Sequence, residues 1–132
     1  MTDEQTAAYI IEVHKYFEDL RQVASQLAGL MVLAAASGKS TAPDHPMLEA
    51  ARRLHQEASD GLFSTRSTER ARVHRHCLVE AAADLGRSLA QPEVDLALAP
   101  LRAAYAQLES ASRALPGFEM VSFEHACCAK II

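Results

Sequence analysis

The sequence has no tryptophan, and aromatic residues of any kind make up only 5% of its 132 positions. Valine and isoleucine, which favour β-strands, are few, whereas alanine is abundant. Because alanine has the highest helix propensity, this composition favours closely packed helices over sheets. We therefore expect an all-α protein.

An excess of positive charge is also missing. The 13 lysines and arginines are outnumbered by 17 aspartates and glutamates, which gives a formal net charge of −4. Nucleic acids and anionic membranes attract proteins with the opposite balance. The one local basic concentration is scattered around a predicted helix and contains no aromatic residue to stack on a base; it consists of Arg66, Arg70, Arg72 and Arg75. The charge therefore predicts no nucleic-acid partner and no membrane partner.

Long apolar runs and cysteines are scarce as well. The most apolar run, residues 27–36, has ten residues, whereas a bilayer-spanning helix needs about 20. The N-terminus lacks the positive start and apolar middle of a secretory signal. The three cysteines, Cys77 and the adjacent Cys127 and Cys128, do not favour a disulfide framework. We expect a mature protein of the reducing cytoplasm, without a membrane span.

The strongest pattern is in residues 6–36, where apolar positions return every three or four residues and predict one long amphipathic helix. Thr2 and Gln5 fit a capping box at its start, and Gly38 fits a left-handed position after its end. Such a helix packs along its neighbours at a shallow angle. The predicted buried stripe is Ile10, Val13, Phe17, Leu20, Ala24, Leu27, Met31 and Ala34, widened by Tyr9, Tyr16, Val23 and Leu30.

Three shorter helices are expected to follow. The second is capped by Asp44, has Pro46 in its first turn and frays at Asp60 and Gly61. The third follows residues 64–68 and directs inward Val73, His74, Cys77, Leu78, Ala81, Leu85 and Leu89. The fourth follows Pro92 and is bent, or first begins, at Pro100. Four amphipathic helices joined by short loops predict an up-down four-helix bundle, a single domain over residues 1–132. We expect residues 116–132 to form an extended tail or to pack across the bundle.

One cluster of candidate metal ligands is present. His74 and Cys77 are three residues apart, which places an imidazole and a thiol on one helical face. A tail folded over them would complete a four-ligand site of the kind zinc prefers. The candidate ligands are His55, His74, Cys77, His125, Cys127 and Cys128. The competing interpretation is that a buried cysteine acts as a small apolar residue and a half-buried histidine contacts a backbone carbonyl.

Residues 76–86 contain an outward His76, an apolar residue two positions later, small residues, and Leu85 followed by Gly86. This pattern resembles the phosphate-accepting helix of histidine phosphotransfer domains, which are also four-helix bundles. The resemblance implies phosphotransfer through His76. The sequence differs from that family at Val79 and Glu80, where the family has lysine and glycine, and Glu80 would repel a phosphate.

No catalytic or cofactor-binding motif was found, so the leading prediction is a non-enzymatic interaction or adaptor protein. The first helix is longer than the others, and its excess length predicts apolar surface that pairs with a second copy or with a partner protein. The expected interface residues are Leu27, Leu30, Met31, Val32 and Leu33. The alternative is that the tail folds back over this surface.

Overall fold

The computed structural model describes residues 2–41 and 45–115 of the chain. They form four α-helices: α1, Thr2–Ala36; α2, Pro46–Ser64; α3, Arg72–Ala90; and α4, Val94–Arg113. The all-α prediction and the long first helix are confirmed. The predicted tail, residues 116–132, lies outside the described residues.

The helices form an up-down bundle, as predicted. α3 packs most extensively on α4 and α1 on α2, while α1 also contacts α3 and α4, and α2 contacts α3. The α1–α2 and α3–α4 connections meet at one end, where the Val94 amide donates to the Ser40 carbonyl at 2.8 Å and Thr41 forms a β-bridge with Glu93. At the other end the hydroxyls of Thr6 and Thr68 hydrogen-bond at 2.9 Å. We call these the Val94 end and the Thr6 end.

The core follows the stripe predicted along α1. Val13, Phe17 and Leu20 have no exposed surface, and Leu78, Leu85 and Leu108 bring α3 and α4 to the same core. Alanines at the helix contacts allow the backbones to approach closely, as at Ala24, Ala51, Ala58, Ala81, Ala104 and Ala111. One prediction for α3 is wrong: Val73 is 62% exposed. The first turn of α3 packs through His74, which is 1% exposed, and Val73 lies about 100° around the helix from it, at the edge of the buried stripe.

The ends of α1 and α2 are fixed by local hydrogen bonds. Gly38 has φ of +69°, and the Lys39 amide donates to the Ala34 carbonyl at 2.9 Å. This is the Schellman arrangement expected of a glycine after a helix. Asp44, the predicted cap of α2, lies outside the described residues; the N-cap is His45, whose Nδ1 accepts from the Met47 amide at 3.0 Å.

The C-terminus of α2 is capped by a side chain from α3. Arg75 donates through Nη2 to the Leu62 carbonyl at 2.9 Å and through Nε to the Thr65 carbonyl at 3.2 Å. A guanidinium at this position satisfies carbonyls that lack helical partners and complements the negative end of the helix dipole. Arg75, one of the four arginines in the local basic concentration, therefore stabilises the C-terminus of α2.

Gly61 does not end α2, contrary to the sequence-based expectation, because the helix continues to Ser64. A Cβ atom at this position would overlap the Tyr16 ring on α1. The glycine thus permits close contact between α1 and α2. The predicted helix end at Gly61 is wrong because a glycine in a helix interior can also mark a close contact with a neighbouring helix.

We predict that Gly61→Ala lowers the free energy of unfolding by about 1–2 kcal/mol, since overpacking outweighs the gain in helix propensity. In a Tyr16→Ala background the same change should be neutral or stabilising. Gly29→Ala is the matched control, because a Cβ there meets nothing within 4 Å among the neighbouring described residues and is expected to stabilise by about 1 kcal/mol. Urea denaturation of the four members of the cycle measures the coupling; additive effects would contradict the contact.

Candidate functional site

A cavity of about 280 Å³ lies at the Val94 end of the bundle, where all four helices contribute to its wall. α1 supplies Leu27, Leu30 and Met31, and α2 supplies Leu48 and Arg52. The remaining wall comes from Thr41, from α3 and α4, and from the connection between them: Ser88, Leu89, Ala90, Gln91, Pro92, Val94 and Ala97. The cavity is therefore mainly apolar.

Small side chains leave this space unfilled. Ser88 and Ala97 are both buried, and the Ser88 hydroxyl donates to the Ala97 carbonyl at 2.9 Å, which holds α3 close to α4. Because these two small side chains line the cavity together with the leucines of α1 and α2, space is left between them. Protein interiors are otherwise packed with few voids larger than a water molecule. A void of this size is a candidate ligand site.

Among the described residues, Arg52 is the only charged one that lines the cavity. Its side chain is exposed and forms no ion pair with any described residue. It also borders a shallower depression shared with His55, Gln56 and Gly86. The guanidinium is thus placed at the rim, between the apolar interior and solvent, with its donors available.

The side of α1 that points away from the cavity presents an uncharged exposed surface. No charged residue occurs from Gln22 to Gly38. At 100° per residue, six exposed positions fall on one side of the helix. We call them the outer face of α1: Gln22, Ser25, Gly29, Val32, Leu33 and Ala36. Val32 is 68% exposed and Leu33 44% exposed, and the space around Gly29 is open.

The predicted interface residues are divided between these two features. Leu27 and Leu30 are only 5% and 2% exposed, so the expectation that they lack cover within the subunit is wrong. Together with the half-buried Met31 they form the cavity wall, because α2 and the α3–α4 connection reach far enough to enclose them. Val32 and Leu33 belong to the outer face, and whether they form an interface stays a prediction.

His74 is fully enclosed and hydrogen-bonds to α1. Its Nδ1 and the Tyr9 hydroxyl share a hydrogen bond of 2.9 Å, and the two rings meet edge to face with centroids 5.5 Å apart. Nε2 has no partner among the described residues. Burial lowers the pKa of His74 to about 4 and raises the pKa of Tyr9 well above its usual range. Both side chains are therefore neutral at neutral pH.

The other described candidate ligands have separate surroundings. His55 Nε2 is 2.8 Å from the Ala82 carbonyl on α3, which is the backbone contact considered as the alternative to metal binding. Cys77 is buried with a free thiol, and burial raises its pKa. No group of three or more His, Cys, Asp or Glu side chains suited to a metal ion occurs within residues 2–41 and 45–115. Because His125, Cys127 and Cys128 lie outside the described residues, the zinc-type site stays a prediction.

His76 is exposed on α3, as its outward position predicted. Glu80, one turn further on, is half-buried on the same helix. Nothing in the described residues tests phosphotransfer, and that prediction also stays open.

Neither the cavity nor the position of Arg52 at its rim was predictable from the sequence. The only signal was the i,i+4 pair Leu48 and Arg52, which places a charge next to the apolar stripe of α2. Such pairs are common on solvated helices and do not indicate a cavity. The void arises from the meeting of four helix ends, which no single stretch of sequence encodes.

The fold and cavity define a class, an up-down four-helix bundle with an apolar chamber at one end. In comparisons with protein-family models, with curated proteins and with solved structures, no significant match to this chain was found. Among the described residues, none of the four helices combines the length and the hydropathy that crossing a membrane requires.

Proposed function

We propose that this protein acts in the cytoplasm by protein–protein interaction rather than by catalysis, and that it self-associates through the outer face of α1. The observation that carries the proposal is the exposed, uncharged surface around Val32 and Leu33. Apolar side chains exposed next to each other on a helix are a common feature of interaction sites.

The partner that fits this surface best is a second copy of the same chain. Two copies of the outer face meet without burying an unpaired charge, which is the costly event at an interface. Gly29 lets a second helix approach closely, since no atom of another described element lies within 4 Å of the position its Cβ would take. An isologous pair would then place Val32 and Leu33 of each copy against the other.

The interface is expected to be small. The outer face spans 15 residues, or about 22 Å of helix, which corresponds to the low end of specific interfaces. We therefore expect a reversible dimer with a dissociation constant of about 10 µM rather than a permanent one.

Sedimentation velocity from about 1 to 200 µM tests the proposal. The wild-type protein should change from monomer to dimer over this range, whereas Val32→Lys and Leu33→Lys should weaken the dimer at least tenfold. Lysine is the suitable replacement because a cation near the C-terminus of α1 is favourable to the helix. Far-UV circular dichroism should show unchanged helix content.

Ile11→Lys is the matched control. Ile11 is 78% exposed on the same side of the same helix, but it lies about three turns before Gln22, the first residue of the outer face, so this variant should dimerise like the wild type. A wild-type protein that stays monomeric to 200 µM would refute self-association. If all three lysine variants weakened the dimer equally, the loss would be a general effect of added charge, and the outer face would not be the dimer interface.

A further inference from the structure

The cavity at the Val94 end has features that self-association does not use. Its wall includes Leu27, Leu30 and Met31 on the inner side of α1, whereas the outer face of α1 points away from it. Arg52 at its rim has no ion pair with a described residue. An apolar chamber with one available cation at its opening is complementary to a molecule with an apolar body and one anionic group.

We propose that this cavity binds a small amphipathic carboxylate, with the apolar chain enclosed among the leucines and the carboxylate paired with Arg52. The proposal is independent of dimer formation, because it depends on different residues. Arg52 suits this task because guanidinium groups bind carboxylates through two parallel hydrogen bonds.

The volume sets the size of the ligand. A cavity of about 150 Å³ is large enough for benzene, with six carbon atoms. The 280 Å³ available here therefore accommodates roughly ten to twelve non-hydrogen atoms at the same density. A straight-chain carboxylate of eight carbons fits this limit, whereas a long-chain fatty acid exceeds it.

The inner polar groups of the wall support the same orientation, whereas the polar side chains of Thr41 and Gln91, which also line the cavity, are exposed. The Ser88 hydroxyl uses its hydrogen on the Ala97 carbonyl at 2.9 Å, and the Val94 amide uses its hydrogen on the Ser40 carbonyl at 2.8 Å. These donors are thus occupied inside the protein. The Arg52 side chain has donors available for an anion, so the carboxylate belongs at the rim and the chain inside.

Octanoate is the probe, measured with the full chain by isothermal titration calorimetry and by ¹H–¹⁵N correlation spectra. We expect saturable binding with a dissociation constant of about 100 µM or lower. Amide shifts should concentrate at Leu30, Leu89 and Ala97. Octan-1-ol should bind several-fold more weakly and octylammonium more weakly still, because neither forms an ion pair with Arg52.

Variants separate the two parts of the site. Arg52→Gln should weaken octanoate about fivefold and leave octanol unchanged, while Arg53→Gln, its exposed neighbour on α2, should change neither. Ala97→Leu fills the chamber and should abolish binding of both ligands. If Ala97→Leu does not fold, the correlation spectra and the comparison of Arg52→Gln with Arg53→Gln still test whether octanoate binds in the cavity.

Three results would overturn the proposal. The first is the absence of saturable octanoate binding to the wild-type protein. The second is equal loss with Arg52→Gln and Arg53→Gln, and the third is a set of shifted amides located away from the cavity. A monomeric protein that binds octanoate would refute the proposed dimer and leave this inference intact, so the two failures are distinguishable.

Discussion

Phe17→Ala is expected to lower the free energy of unfolding by about 4 kcal/mol. Phe17 has no exposed surface at the centre of the α1 stripe, and deletion of a buried phenylalanine ring removes its transfer free energy and leaves a cavity. Domains of this size are stable by about 5–15 kcal/mol in total. The change should therefore remove a large part of the stability.

Phe63→Ala is the matched control for this prediction. The same atoms are removed, but Phe63 is 69% exposed on α2, so the effect should stay within about 0.5 kcal/mol. Urea denaturation followed by circular dichroism at 222 nm, at protein concentrations below 5 µM, compares the two variants. Similar losses from both substitutions would contradict the packing described here.

Acid is expected to destabilise the protein through His74. In the folded protein the pKa of His74 is about 4, whereas an unfolded chain has the ordinary value of about 6.5. Below pH 6.5 the unfolded chain therefore binds a proton that the folded protein does not, so stability falls as the pH falls toward 4. The expected contribution is about 2 kcal/mol between pH 7 and pH 5 and about 3 kcal/mol between pH 7 and pH 4.

His74→Gln provides the measurement that isolates this residue. Glutamine offers Tyr9 a hydrogen-bonding partner but does not titrate, so the variant should lose about 3 kcal/mol less than the wild type between pH 7 and pH 4. His14→Gln, at an exposed position of α1, controls for removal of an imidazole as such. Parallel pH profiles for wild type and His74→Gln would refute this role of His74.

Much of the fold was predictable because α1 is long and strictly periodic. A stripe that repeats every three or four residues over eight turns admits one helical solution, and Val13, Phe17 and Leu20 are buried as it required. Local signals of the same kind were reliable at Gly38, where the left-handed conformation was expected and is found. Local rules were wrong at Gly61, since a glycine is required there by the close contact with the Tyr16 ring, 45 positions earlier in the chain.

The site was less predictable. His74 was placed on the inward side of α3 correctly, but the sequence did not show that Tyr9 would be its partner. The Asp84 carboxylate shows the same limit: it is 4% exposed and pairs with Arg87 one turn later, although its residue type predicts a solvated position. Contacts between helices depend on the register and the axial offset of one helix against another. The apolar periodicity within each helix determines neither.

The sequence by itself determined that this chain forms four amphipathic helices and which stripe of each helix is buried, because helix periodicity depends only on near neighbours. The tertiary structure decided where the helices end relative to one another. That offset encloses Leu27 and Leu30 and opens a chamber beside Arg52. The physical reason is that a cavity is a property of how four surfaces fit together, and no one of those surfaces specifies it alone.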